Sequence, residues 1–152
     1  MRLAGPAVNL RPPPAGTGCP GLPRQQAIPS TLGQVSALEP GPEDLKIITL
    51  ARSARARVAA AEGAAVRDET GRTYAAAAVA LPSLKLSALR LAVAMAVSSG
   101  ASTLEAAALV SDAEQPDPAD LTVVRELGPD AVVFHAGSNG VLRATLQPTP
   151  RS

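Results

Sequence analysis

The sequence predicts an α/β domain in which a sheet of about five strands is covered by helices. Three observations carry that expectation. From Glu43 onward, helical and strand patterns alternate in the order helix, two strands, helix, strand, helix, two strands, which fits neither a helix bundle nor a β-sandwich. A chain of 152 residues with 46% apolar content suffices for one core and one domain. Its only aromatic residues besides histidine are Tyr74 and Phe134, so that core has to be built from Ala, Val, Leu and Ile, with backbones close together.

The elements follow in order. Pro42, Glu43 and Asp44 open a helix with acids in its first turn, and Leu45, Ile48, Ala51 and Ala54 recur at helical spacing to about residue 57. Residues 61–67 and 72–80 flank Asp68-Glu69-Thr70-Gly71, a polar turn that predicts a hairpin. Ser83 is the expected cap of a second helix through Val97, with Gly100 placed for a left-handed C-terminal cap. Leu84, Leu86, Leu89, Leu91, Val93, Met95 and Val97 make that helix apolar around most of its circumference, so a second subunit is expected to cover part of it. Residues 104–111 read as a buried strand, 117–127 as a helix stopped by Gly128-Pro129, and 131–136 as another strand. Asn139-Gly140 signals a tight turn into a last strand over 141–146, and 147–152 form a tail.

Residues 1–42 carry nine of the fifteen prolines and no sustained periodicity. Such a segment cannot bury enough apolar surface to offset ordering entropy, and disorder is expected there. Its Pro, Ala, Gly and Arg content is also what GC-rich non-coding DNA yields on translation, so a start-site artefact is a competing origin. Pro6, Asn9, Arg11 and Pro12–Pro14 break any apolar signal core, and residues 91–97 are too short to span a bilayer. A cytoplasmic protein with no membrane contact is expected.

Cys19 is the single cysteine, which excludes an intrachain disulfide and a multi-thiolate zinc site. A net charge of +1 gives no overall field favouring polyanions. The local exception is Arg52, Arg55 and Arg57, either a phosphate-binding patch or a solvated helix face; scarce aromatics weigh against base stacking. His135, the only histidine, sits late in an expected strand and is read as a surface or satisfied core residue rather than a metal ligand.

Several short motifs share one frame. Glu62-Gly63-Ala64-Ala65 starts a strand, Gly71-Arg-Thr-Tyr74 leaves the hairpin, and Ser87-Ala-Leu-Arg90 leads into Ala92, Ala96, Val97 and Gly100. Pro116-Asp-Pro-Ala-Asp120 then opens a helix that ends in Glu126-Leu-Gly-Pro-Asp130. Over residues 44–146 this frame resembles the homotetrameric cytidine deaminases. Their strand starts Val-Gly-Ala-Ala, their two site helices open Cys-Ala-Glu-Arg and Pro-Cys-x-x-Cys, and their third helix ends Glu-Phe-Gly-Pro-Asp. The resemblance implies a three-layer α/β/α domain with a mixed sheet, and a homo-oligomer, with a tetramer in keeping with that family.

The same resemblance implies a vanished zinc site. Ser87 falls at the first ligand, Leu89 at the proton-shuttling Glu, and Asp117 and Asp120 at the two thiolates. Ala78 and Ala80 fall where Asn-x-Glu binds the nucleoside. Zinc deamination needs three ligands holding a water and a carboxylate moving protons beside it. With the Glu replaced, zinc is expected only if the chain is still an enzyme. Arg90 is retained, and its pairing with Asp117 or Asp120 would refill the old metal position. Against that stands a plain helix start, with Asp117 as cap, Pro118 first in the helix and Asp120 reaching back as in a capping box. A hard-cation site from both acids and Ser87 is a further possibility.

The expected function is therefore a catalytically inactive cytidine-deaminase-like protein with a binding or assembly role. The alternatives are a divergent cytidine or nucleoside deaminase, and an RNA-associated module using the Arg52–Arg57 face. The sequence names no ligand and no protein partner.

Overall fold

A computed structural model describes residues 39–148. The expected disorder of residues 1–42 falls, through residue 38, outside the described residues. The order is α1 (Pro42–Arg57), β1 (Glu62–Asp68), β2 (Thr73–Ala77), β3 (Val79–Leu81), β4 (Leu84–Leu86), α2 (Ala88–Ser98), β5 (Leu104–Ser111), α3 (Pro118–Leu127), β6 (Val132–Ala136) and β7 (Leu142–Leu146).

Five strands form one mixed sheet in the order β2-β1-β5-β6-β7, with only β5 and β6 parallel. The parallel pair requires a crossover, and α3 supplies it. Alternation along the strands sorts side chains to two faces. On one, Ala65, Ala106, Ala108, Val110 and Phe134 pack against Ile47, Ile48 and Ala51 of α1. On the other, Ala64, Val66, Ala107, Leu109 and Val133 pack against Leu89, Ala92, Val93 and Ala96 of α2 and Val124 of α3. The result is three layers.

Small residues set the layer spacing. A Cβ added at Gly63 would collide with the Ala51 carbonyl oxygen and lie 2.7 Å from Arg55 Cβ, so α1 rests on β1 at a distance only glycine permits. Gly41, ahead of Pro42, donates its amide to Asp44 Oδ2 at 3.1 Å. Arg67 on β1 reaches Asp44 Oδ1 at 3.1 Å and Glu105 Oε2 at 3.0 Å, tying α1 to two strands. At the β1–β2 turn, the buried Asp68 carboxylate accepts from the Thr70 and Arg72 amides, the Thr70 hydroxyl and the Tyr74 hydroxyl. That knot fixes the hairpin register.

Two expectations need correction. The strand expected over 72–80 breaks at Ala78, whose amide makes its last bond to Glu62 O at 3.1 Å, because β1 begins at Glu62 and the antiparallel β2 has no partner beyond it. The helix expected to begin at Ser83 begins at Ala88: Leu84–Leu86 pair antiparallel with Val79–Leu81, and Pro82-Ser83 is their two-residue turn. The true cap is Ser87, whose side chain accepts from the Arg90 amide at 3.2 Å. Leu84 and Leu86 thus leave the helix, and Leu89, Ala92, Val93 and Ala96 form its buried stripe while Met95 and Val97 stay exposed. At its far end Gly100 takes φ +94° and the Ala101 amide returns to Ala96 O at 3.0 Å, closing the helix.

Candidate functional site

In open α/β sheets the carboxyl ends of parallel strands and the helix N-termini beside them are where chemistry gathers. Here the N-termini of α2 and α3 meet on the face above β1, β5 and β6. Asp117 caps α3 by accepting from the Ala119 amide at 2.9 Å, and its side chain faces solvent. Asp120 does not reach back in a capping box. Its carboxylate, only 5% exposed, turns to α2, where Oδ1 accepts from the Ser87 hydroxyl at 2.9 Å and lies 2.7 Å from Arg90 Nε. The Arg90 side chain is 41% exposed, so the guanidinium covers the acid from the solvent side. Ser87 donates to Asp120 and accepts from its own helix, and two helix starts are latched through one carboxylate. Negative charge at that point is also favoured by both helix dipoles.

Leu89 is fully buried in the core. Ala78 packs at the core edge, and Ala80 is exposed on the β3–β4 hairpin opposite Lys85. Of the sequence-derived candidates, the structure brings together Ser87, Arg90 and Asp120 and leaves Asp117, Leu89, Ala78 and Ala80 apart from that cluster.

Sequence reasoning missed Glu62. Its Oε1 accepts the Ala88 amide at 3.0 Å, so a side chain from β1 satisfies a free donor of the α2 N-terminus. The available signal was a carboxylate where the resembled strand opens with Val. It also missed Ser111, whose hydroxyl lies 3.1 Å from His135 Nε2 across the parallel pair. His135 is fully buried, its Nδ1 has no hydrogen-bond partner among the described residues, and burial, reinforced by the Arg143 charge, holds the imidazole below its ordinary pKa.

Donor chemistry can be tested against zinc, which takes three or four thiolate, imidazole or carboxylate ligands. Among the described residues no three His, Cys, Asp or Glu side chains converge to hold a metal ion, and the one buried carboxylate at the helix corner is already engaged by Arg90 and Ser87. These residues do not fit zinc. They do not form the hard-cation site either, since Asp117 points away. On the opposite helix layer, Arg55 is tied to Asp112 at 3.2 Å and to Ala61 O at 3.1 Å, while Arg52 and Arg57 are exposed. Among the described residues no helix is long and apolar enough to cross a membrane.

Three layers, a mixed sheet and two helix N-termini meeting over its parallel pair define an α/β/α domain of the deaminase type. A model of the cytidine deaminase-like family matches residues 40–140, and the chain belongs to that family. Among solved structures, cytidine deaminase from Burkholderia pseudomallei is similar at 24% identity with a TM-score of 0.58, covering 68% of this chain and 91% of that one. Cytidine deaminase from Mycobacterium leprae is similar at 21% identity with a TM-score of 0.50, covering 59% of this chain and 85% of that one. No curated protein matches the chain.

Proposed function

We propose that this chain is a catalytically inactive member of the family, retained for binding or assembly in the cytoplasm, with an arginine where its relatives keep a metal. The observation that carries the reading is Asp120: a 5% exposed carboxylate at a family ligand position, held by Arg90 Nε at 2.7 Å and Ser87 Oγ at 2.9 Å. One guanidinium supplies the positive charge that a dication and thiolates would otherwise balance, and the corner stays neutral without metal. Deamination would further require a carboxylate able to pass protons from an activated water to the base. At the matching position stands Leu89, packed into the core. Glu62, a second carboxylate at the α2 N-terminus, is occupied by the Ala88 amide.

Self-association is part of the same reading, because Met95 and Val97 on α2 remain 38% and 53% exposed. A screen of cytidine and related nucleosides for ammonia release tests the reading. No release above background is expected from folded full-length protein. Turnover of cytidine would replace it with the divergent deaminase. RNA binding through Arg52 and Arg57 is a weaker possibility, because Arg55 between them is already neutralised by Asp112; strongly salt-dependent binding to single-stranded RNA would support it.

A further inference from the structure

We propose that His135 is a proton-sensitive pin at the seam between β5 and β6: the neutral ring keeps the β6–β7 hairpin docked on the sheet, and its protonation in mild acid lets that hairpin open. His135 is the chain's only histidine, and so the one side chain whose ordinary titration falls in the mildly acidic range. Val133 and Leu109 pack into the core under α2 and α3, and by alternation His135 and Ser111, two residues further along each strand, point to the same face. There His135 is fully buried and Ser111 is 4% exposed. Beyond the parallel backbone pairing, Ser111–His135 is joined at the same end of the seam by the Ser138 amide on Asp112 Oδ1 at 3.3 Å and by Arg143, which donates to the Asp112 and Ala113 carbonyls at 3.2 Å. Because α3 is the crossover from β5 to β6, parting the two strands also loosens the Asp120 latch to α2.

The surroundings suit a neutral ring and not a charged one. A neutral imidazole carries one N–H and one lone pair, whereas an imidazolium carries two N–H donors. The Ser111 hydroxyl, 3.1 Å from Nε2, can serve either state, but Nδ1 has no hydrogen-bond partner among the described residues. Protonation therefore buries a charged donor without an acceptor. The acids on the surrounding elements are engaged elsewhere. Asp120 of α3 holds Arg90 and Ser87, Asp117 caps α3, and Glu62, opposite Ser111 on β1, holds the Ala88 amide of α2. Asp112, just past β5, holds Arg55 and the Ser138 amide, and Arg143 of β7 adds a repelling positive charge. Burial and that charge lower the folded-state pKa below the ordinary 6.5, so the opened hairpin takes the proton more readily than the closed one. The pin's contribution is complete above about pH 6.5 and is lost as pH falls from there toward the folded value. Asp68 and Asp112, whose pKa values are shifted down, stay charged across that window.

Hydrogen exchange of the full chain, read by mass spectrometry at about pH 7.5 and about pH 5 and corrected for intrinsic rates, decides the matter. Expected at the lower pH is a roughly tenfold loss of protection in peptides covering β6 and β7, with β1 and β2 changing less than about twofold. His135→Gln, which cannot take the charge, should remove the difference between the two pH values. Titration of the single imidazole by NMR in the wild-type chain gives a reading independent of how that variant folds, and its midpoint is expected below the ordinary histidine value. A midpoint at or above that value overturns the inference. Equal loss of protection across all strands overturns the opening of the hairpin, and a pH response that persists in folded His135→Gln overturns the assignment to His135.

Discussion

Replacing Arg90 by Met keeps the side-chain volume and helix propensity but removes the only cation among the described residues within ion-pair distance of Asp120. Breaking a fully buried pair costs about 3–5 kcal/mol because a charge is left alone in the interior, whereas exposed pairs contribute about 0–1 kcal/mol. Asp120 is 5% exposed but Arg90 is 41% exposed, so solvent already screens one partner and water can enter once the guanidinium is gone. The expected loss is intermediate, about 2 kcal/mol. For a domain of this size that is a fall of roughly 10 °C in thermal midpoint. Asp120→Asn keeps an acceptor for Ser87 while removing the charge. If Arg90 serves to neutralise Asp120, the double variant should lie above the sum of the single losses by about 1 kcal/mol or more in a double-mutant cycle. Urea unfolding of the four proteins measures both quantities. A loss for Arg90→Met within about 0.5 kcal/mol, or strict additivity with Asp120→Asn, would show that the guanidinium does not serve the acid and would refute the refilled-site argument.

Three further outcomes are expected. Burial alone would raise the Asp68 pKa, but the hydrogen bonds from Thr70, Tyr74 and Arg72 outweigh it and lower it from 3.8 to about 2. A depressed folded-state pKa contributes stability that is present above the unfolded value and lost as pH falls toward the folded one, so Asp68→Asn should flatten the acid limb of the stability profile between about pH 4 and 2. An unchanged slope there would refute the assignment. Gly63→Ala places a methyl against the Ala51 carbonyl and should cost about 2 kcal/mol or more, read from urea midpoints; a neutral result would mean that α1 slides freely on β1. A chain starting at Glu39 should keep the full-length thermal midpoint within about 2 °C, and a broad, lowered transition would show that the preceding segment docks on the domain.

Most elements were legible because each long segment repeats one pattern. The Leu45-Ile48-Ala51-Ala54 spacing, Asp117-Pro118 and Asn139-Gly140 each predict structure that is present. The start of α2 was misread because two serines four residues apart can both cap, and the leucines continue across each of them. What decides between them is long-range: Val79–Leu81 need a pairing partner once the chain has run past the first residue of β1, and Leu84–Leu86 supply it. The Pro82-Ser83 turn was the local sign of that hairpin. At the site, the Asp117 cap follows from local sequence, but which acid turns toward Arg90 does not. Asp120 sits on the α3 flank facing α2, and that orientation is set by helix packing. Glu62 and Ala88 are 26 residues apart, and Ser111 meets His135 only through the β5–β6 register. Strand order cannot be recovered from the pattern of either strand alone.

The proposal that the family's metal centre is lost in this chain is open to direct measurement. Full-length protein, expressed with added zinc and purified without chelator, can be assayed for metal per chain, and zinc binding titrated against a chromophoric chelator. Because the Asp120 carboxylate is held by Arg90 and Ser87, the expected result is far less than one zinc per chain and no saturable site at micromolar zinc. One tightly held zinc per chain, released only by strong chelation and accompanied by a change in thermal midpoint, would contradict the proposal that an arginine has taken the metal's place.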